Sequence, residues 1–334
     1  MDHCLSLAFL VPFDPVSPEE WEHFKLEYNK TYQNATEDLY RQQIFQENKI
    51  QIDLHNQRFK EGEETFNMSI NQFTDLKDEE FYQDHMLSSD FDYEFDNDYN
   101  NTNHREKRDI TNYWPIPRAI DWRYWGAVTP VKNQGRCKSC WAFAAIGALE
   151  SLQFRQTGNL IALSEQSLID CTFSHGNHGC DGGTPKRSLK YVIKKGGVPS
   201  EQKYPYKAKD GYCHRRSRVT ILGPGFQKVT YGDERMLARA VANHGPVAVS
   251  LDASPRSFKS YSSGIYEDPA CEGRKLTHAV VVIGYGTDPS GRDFWLIKNS
   301  WGTKWGMGGY MKMLRNAGNL CGIATKAYYA PYLY

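Results

Sequence analysis

Cys137-Lys138-Ser139-Cys140 is the segment of this 334-residue chain whose residue types can do the most chemistry. A C-x-x-C pair can be a thioredoxin-like redox couple, half of a zinc site, or the setting of a nucleophilic thiol. No second half-site with matching spacing follows, which counts against zinc. The run from Trp141 to Phe154 is apolar and Ala-rich and predicts a helix that begins just after Cys140. The positive end of that helix would lower the thiol pKa and favour the thiolate, which is the nucleophilic form. His175 and His178, between Cys171 and Cys180, have the composition of a metal cluster, but a disulfide-bounded loop is the favoured reading. No metal or cofactor is expected.

The compartment and the partners are constrained by composition. Seven of the eight cysteines follow residue 136, which suits three disulfides and one reactive thiol in an oxidising environment. The neutral chain hides two opposed parts: residues 1 to 115 hold 10 Lys/Arg and 25 Asp/Glu, a net −15, and residues 116 to 334 hold 30 and 15, a net +15. The basic residues are scattered and accompany no nucleic-acid motif, so the acidic part is read as an intramolecular partner of the basic one. No stretch reaches the roughly 18 apolar residues that span a bilayer. Leu5 to Val11 is a short apolar run without a preceding Lys or Arg, and is expected to be a weak or truncated signal peptide within residues 1–16. Four sequons begin at Asn29, Asn34, Asn67 and Asn100, compatible with secretory transit.

Ser17 to Phe59 reads as helix, with Ser17 as N-cap and Pro18, Glu19 and Glu20 in the first turn. Glu37, Arg41, Phe45, Asn48, Ile52 and Asn56 recur at steps of three and four, which puts all six near one face. From spacing alone this is an ordinary packing stripe. Ser69-Ile70-Asn71-Gln72-Phe73-Thr74-Asp75 follows. Residues 88 to 103 are acidic and rich in Tyr and Asn, without helical or alternating period, and read as an exposed linker. Arg105-Glu106-Lys107-Arg108 is either a processing site on that linker or a solvated charge run.

The six-residue face matches the ERFNIN pattern of papain-family propeptides at every position, and the segment with Asn71, Phe73 and Asp75 resembles their G-x-N-x-F-x-D motif with Ser69 in place of Gly. From Ile116, IPRAIDWRYWGAVTPVKNQGRCKSCWAF resembles the start of the mature papain-like domain. The resemblance makes Cys140 the nucleophile, His278 in LTHAVVVIGYG its imidazole partner, Asn299 in WLIKNSWGTKWG the amide that orients the ring, and Gln134 an oxyanion donor beside the Cys140 N–H. Trp301 would shield the His278–Asn299 bond. It also implies the pairs Cys137–Cys180, Cys171–Cys213 and Cys271–Cys321, leaving Cys140 free.

Gly182 and Gly183 match the stretch that pairs with an extended substrate. The S2 pocket carries over onto Thr184, Pro185, Ser250, Leu276 and Ala279, with Lys326 at its floor, where an apolar residue is common. Lys326 would either pair with an acidic substrate side chain or snorkel outward. Lys138 stands beside the S1 groove where the family has Gly.

The expected architecture is α+β: a helical propeptide (17–87), an acidic linker (88–115) and a two-lobed catalytic domain (116–334), one lobe helical and one a β-barrel-like sheet. The expected activity is that of a cysteine endopeptidase precursor, cathepsin L-like, lysosomal or secreted, since no cleft-blocking insertion of the exopeptidase kind is evident. Its partners would be protein and peptide substrates, its own propeptide as inhibitor and cystatin-type inhibitors, with no nucleic acid or membrane, the protein being a monomer. The competing expectation is a catalytically silent binder or inhibitor on the same fold.

Overall fold

In a computed structural model, residues 15–87, 115–221 and 225–331 are described. The apolar run from Leu5, Cys4, the acidic stretch 88–103, the sequon at Asn100 and the basic run 105–108 lie outside them.

The single helix expected from Ser17 to Phe59 is two helices, α1 (Pro18–Tyr28) and α2 (Ala35–Glu61). Ser17 caps the first as expected, its hydroxyl accepting the Glu20 N–H at 3.1 Å. The break is made by two asparagines that the apolar periodicity passes over. Asn29 takes the left-handed conformation (φ 50°) that ends α1, and Asn34 Oδ1 accepts the Glu37 N–H at 3.0 Å to begin α2. A short polar side chain tolerates the first position and satisfies an orphan donor at the second.

The face of α2 holds main chain as well as core. Phe45 and Ile52 are buried. Asn48 Nδ2 donates to the carbonyls of Thr74 (2.8 Å) and Leu76 (3.1 Å), Asn56 exchanges two 2.8 Å bonds with the Met68 backbone, and Arg41 reaches Glu80 at 2.8 Å. These bonds fix strand β1 (Phe66–Met68), the turn after it and helix α3 (Asp78–His85). Lys30 and Tyr32 hold the Asp75 carboxylate at 2.7 and 2.9 Å. Val16, Trp21, Phe24 and Phe45 form a small core of this segment's own. Phe66, Phe73, Phe81 and Met86 instead join the core of the following domain.

That domain runs β2 (Ile120–Asp121), α4 (Cys140–Thr157), α5 (Glu165–Cys171), α6 (Pro185–Lys195), β3 (Gly197–Val198), β4 (Val219–Thr220), β5 (Gln227–Lys228), α7 (Glu234–His244), β6 (Val247–Leu251), α8 (Arg256–Ser260), β7 (Tyr261–Tyr266), β8 (His278–Thr287), β9 (Asp293–Lys298), β10 (Tyr310–Leu314) and β11 (Lys326–Tyr329). The main sheet has the order β1-β7-β10-β9-β8-β6-β11-β5, with β2 on β8. Its first strand belongs to the N-terminal segment, so β1 extends the domain's sheet through β7, Phe66 opposite Gly264.

Helix α4 is buried on nearly every side, as its all-round apolar sequence requires, and packs across β8 and β6. Gly147 permits that approach: a Cβ there would stand 2.8 Å from Val281 Cγ2. α4, α5 and α6 share one buried cluster with one face of the sheet, while β7, β9, β10 and α7 enclose the other. These are the two lobes. Lys132 ties elements of the first together, reaching Glu150 at 2.9 Å and Glu165 at 2.7 Å. Disulfides join Cys137–Cys180, Cys171–Cys213 and Cys271–Cys321, and Cys140 is the free cysteine among the described residues.

Candidate active site

Cys140 is the first residue of α4, so its Sγ stands at the positive end of an 18-residue helix. His278 is the first residue of β8 and Asn299 directly follows β9, the neighbouring antiparallel strand. Antiparallel pairing therefore brings imidazole and amide to one end of the sheet. His278 Nε2 and Asn299 Oδ1 are 2.8 Å apart, and Nδ1 of the same ring has no hydrogen-bond partner. With Nε2 donating to the amide oxygen, Nδ1 is the nitrogen left to exchange a proton. The backbone of Ala279, next to His278, hydrogen-bonds the Cys140 sulfur, which places the thiol at the start of β8. Trp301, buried, lies 4.5 Å from the His278 ring.

Gln134 is held on three sides. Its backbone N–H donates to Ser300 O (2.8 Å), its Oε1 accepts from Ser300 Oγ (2.7 Å), and its backbone carbonyl accepts from the Tyr206 hydroxyl (2.7 Å). The amide nitrogen is thereby aimed, and it donates to Cys137 O at 3.1 Å and to His85 O at 3.2 Å. His85 is the last residue of α3, so a carbonyl of the N-terminal segment sits on this donor. Beyond it, the Leu87 N–H donates to Thr277 O at 2.8 Å. Neither His85 nor Leu87 carries a sequence signal, since a lone His and a lone Leu have none.

This cover sets the electrostatics. Cys140 and His278 are both fully buried. Burial pushes the thiol up to about 12, against the backbone N–H groups of Ala279, Trp141 and Cys140 that favour the thiolate. Burial also pulls the His278 imidazole down to about 4, against its bond to Asn299, and nearby His85 lowers it further. Burial of both groups therefore favours the neutral thiol and the neutral imidazole in the covered form.

The residues assigned to substrate binding fall into two groups. Ala279, Ser250 and Lys326 are neighbours across β8, β6 and β11, Ser250 facing Ala279 on one side and Lys326 on the other. Leu276 is buried just before β8. Gly182 (φ 133°) needs a glycine, and a Cβ on Gly183 would meet the Trp141 ring at 2.8 Å. Thr184 caps α6 by accepting the Arg187 N–H, with Pro185 at its first position. Lys138 donates its N–H to Cys180 O at 3.0 Å, beside the Cys137–Cys180 disulfide. His175 packs on Tyr191 and bonds Ser174, as a loop histidine does; among the described residues no group of His, Cys, Asp and Glu could hold a metal ion.

A thiol and an imidazole buried beneath a segment of their own chain define a cysteine protease before activation. Residues 116–331 match the papain family cysteine protease domain and residues 21–81 the cathepsin propeptide inhibitor domain (I29), so the chain belongs to the papain family, in zymogen form. It is 46% identical to cathepsin L1 of Drosophila melanogaster, over 97% of this chain and 88% of that one, and 41% identical to procathepsin L of Mus musculus, over 98% and 96%. The fold is similar to digestive procathepsin L 3 of the Tenebrio molitor larval midgut, with a TM-score of 0.83 at 40% identity over 94% of this chain and 98% of that one. The protein is a cathepsin L-like cysteine endopeptidase precursor.

Proposed function

We propose that Cys140, His278, Asn299 and Gln134 carry the peptidase reaction. With the cleft open to water, His278 Nδ1 takes the Cys140 proton, and the thiolate attacks the scissile carbonyl carbon. The oxyanion that forms accepts hydrogen bonds from Gln134 Nε2 and the Cys140 N–H. Collapse of this intermediate breaks the C–N bond as His278 gives its proton to the leaving amine, leaving a thioester on Cys140. Water, deprotonated by His278, then hydrolyses the thioester and restores the thiol. Asn299 keeps the ring oriented without adding a charge.

The observation that carries this reading is the carbonyl of His85 on Gln134 Nε2. A segment that offers a carbonyl to the oxyanion donor competes with substrate for it. Residues 17–87 act as the inhibitory propeptide, 88–115 as the linker cut on activation, and 116–334 as the enzyme. The segment order, Asp78 to His85 to Leu87, passes the leaving-group side first and the Thr277 side last. That is the reverse of a substrate running N to C through the same cleft.

Gly182 and Gly183 bind the substrate main chain, while Thr184, Pro185, Ser250, Leu276, Ala279 and Lys326 form the S2 pocket. Lys326 gives that pocket tolerance for an acidic side chain, and Lys138 favours acidic or polar residues at S1. The mature enzyme is a monomer of the secretory pathway, lysosomal or secreted, and open to cystatin-type inhibitors. Among the described residues no helix is long and apolar enough to cross a membrane.

A peptide library varied two residues before the scissile bond tests the pocket. Preference for Asp or Glu that disappears in Lys326→Leu supports the assignment; preference for Leu or Phe in both enzymes removes Lys326 from the pocket floor. The silent-binder alternative has no observation in its favour, because all four reacting groups are present.

A further inference from the structure

Lys259, in α8 of the catalytic domain, is only 2% exposed. Its ammonium donates to Asp78 Oδ1 at 2.7 Å and to Leu76 O at 3.2 Å, and lies 5.8 Å from the Phe81 ring centre. All three belong to the propeptide. Arg256, at the start of the same helix, gives Nε to Asp78 Oδ2 at 2.9 Å, with Nη2 at 2.7 Å. One propeptide carboxylate therefore serves two cations of the enzyme. Among the described residues, no hydrogen bond or ion pair of the Lys259 ammonium comes from the catalytic domain itself. Activation removes Asp78, Leu76 and Phe81 together and uncovers two adjacent cations that had shared one carboxylate, which leaves a site able to take another.

The place of that site in the cleft follows from α3. Asp78 begins the helix and His85 ends it, a rise of about 10 Å at ~1.5 Å per residue. The His85 carbonyl marks the oxyanion donor, and Leu87, further on, bonds Thr277 beside Leu276 and Ala279 of the acyl-side pocket. Lys259 thus lies on the other side of Gln134, where Phe258, next in sequence, stands 5.8 Å from Trp301 and 6.5 Å from His278. That is the side on which His278 protonates the leaving amine. About 10 Å corresponds to roughly three residues of extended chain.

We propose that Lys259 and Arg256 form a carboxylate subsite on the leaving-group side of the cleft, selecting substrates with Asp or Glu among the first three residues after the scissile bond. Asp78 occupies this subsite in the precursor. The inference rests on the roles given above to Cys140 and Gln134. It differs in side and in residues from the S2 pocket, and an acidic preference at one is measured independently of the other.

The test uses the full chain processed in acid and quenched peptides identical up to the scissile bond, each carrying Glu or Gln at one of the next three positions. The expected result is a kcat/KM ratio of Glu over Gln of about ten-fold or more at one position, falling toward one in Lys259→Met, with a smaller fall in Arg256→Gln. If Lys259→Met does not fold, the wild-type ratio and its loss on raising the ionic strength, together with the fall in Arg256→Gln, test the subsite in its place. Equal cleavage of Glu and Gln peptides at all three positions by an active enzyme overturns the subsite and leaves the functional reading intact. Absence of thiol-dependent cleavage of every peptide overturns the functional reading, and the subsite with it.

Discussion

The side-chain amide of Gln134 donates to the main-chain carbonyl of His85 at 3.2 Å, which joins the inhibitor directly to Gln134. On the proposed roles of Gln134 and Cys140, inhibition blocks the oxyanion donor as well as the nucleophile. Replacing Gln134 by Ala should therefore lower kcat of the processed enzyme by about 10²-fold with little change in KM, since the donor acts on charge that exists in the transition state. Steady-state kinetics on one neutral peptide measure this; a change confined to KM would make Gln134 a substrate-binding residue only.

Thiol reactivity should switch with the cover. In the precursor the Cys140 thiol, pushed up to about 12 by burial, is protonated at neutral pH, and His278, pulled down to about 4, is uncharged. Iodoacetamide at pH 7 should leave Cys140 of the precursor unmodified and carboxamidomethylate it after processing, as read by mass spectrometry of the peptide. Equal labelling of both forms would mean that the propeptide does not shield the thiol.

Acid release has two candidate protons, on His278 and on His85 of the propeptide, both held down to about 4 by burial. His85 is buried between the rings of Phe73 (4.9 Å) and Phe81 (5.1 Å), and its Nδ1 has no hydrogen-bond partner. Burial lowers it from 6.5 to about 4, with the charges of Arg136 and Lys30 contributing. The released segment binds this proton at the higher pKa, so docking weakens as pH falls below 6.5 and the effect is complete below about 4. The full difference is about 3 kcal/mol. Asp78 acts only further down: burial raises it, Lys259 and Arg256 outweigh that, and its carboxylate stays charged until below its ordinary value. His85→Phe should move the midpoint of processing down by roughly one pH unit; an unmoved midpoint would assign release to His278 or the carboxylates and not to His85.

Asp78 can also be removed at constant pH. Asp78→Asn leaves the buried Lys259 without its counter-charge and should weaken docking by about 3 kcal/mol, so that the variant precursor cleaves peptide at pH 7 where the wild type is silent. A variant as tightly inhibited as the wild type would show that Lys259 is paired by another group.

The family of this protein was legible because Cys140, His278, Asn299 and Gln134 each sit inside a contiguous motif, and the fold brings His278 to Asn299 and a backbone carbonyl of the N-terminal segment to Gln134. The face of α2 was legible for the same reason, six residues at helical spacing. The break at Asn29 and Asn34 was not, because caps interrupt a helix without disturbing its apolar period. The opposed charges of the two parts gave the docking partner but not the contact. Lys30–Asp75, Arg41–Glu80 and Lys25–Asp38 are satisfied within the propeptide. The crossing pairs among the described residues centre on Asp78, and on Asp84 near the exposed Arg136 at 3.7 Å. Asp78 and Lys259 are 181 residues apart, and only the folded approach of α3 to α8 brings them together.

Cys140 is proposed as the nucleophile of a protease covered by its own propeptide. The most direct measurement is mass spectrometry of the acid-processed enzyme mixed with a peptide ester and quenched in acid within one turnover, with Cys140→Ala, its propeptide removed by added processed wild-type enzyme, treated alike. The expected result is an acyl adduct on the peptide containing Cys140, and no adduct or thiol-dependent cleavage in the variant once the added enzyme is inactivated. An adduct elsewhere, or cleavage retained by Cys140→Ala, would contradict it.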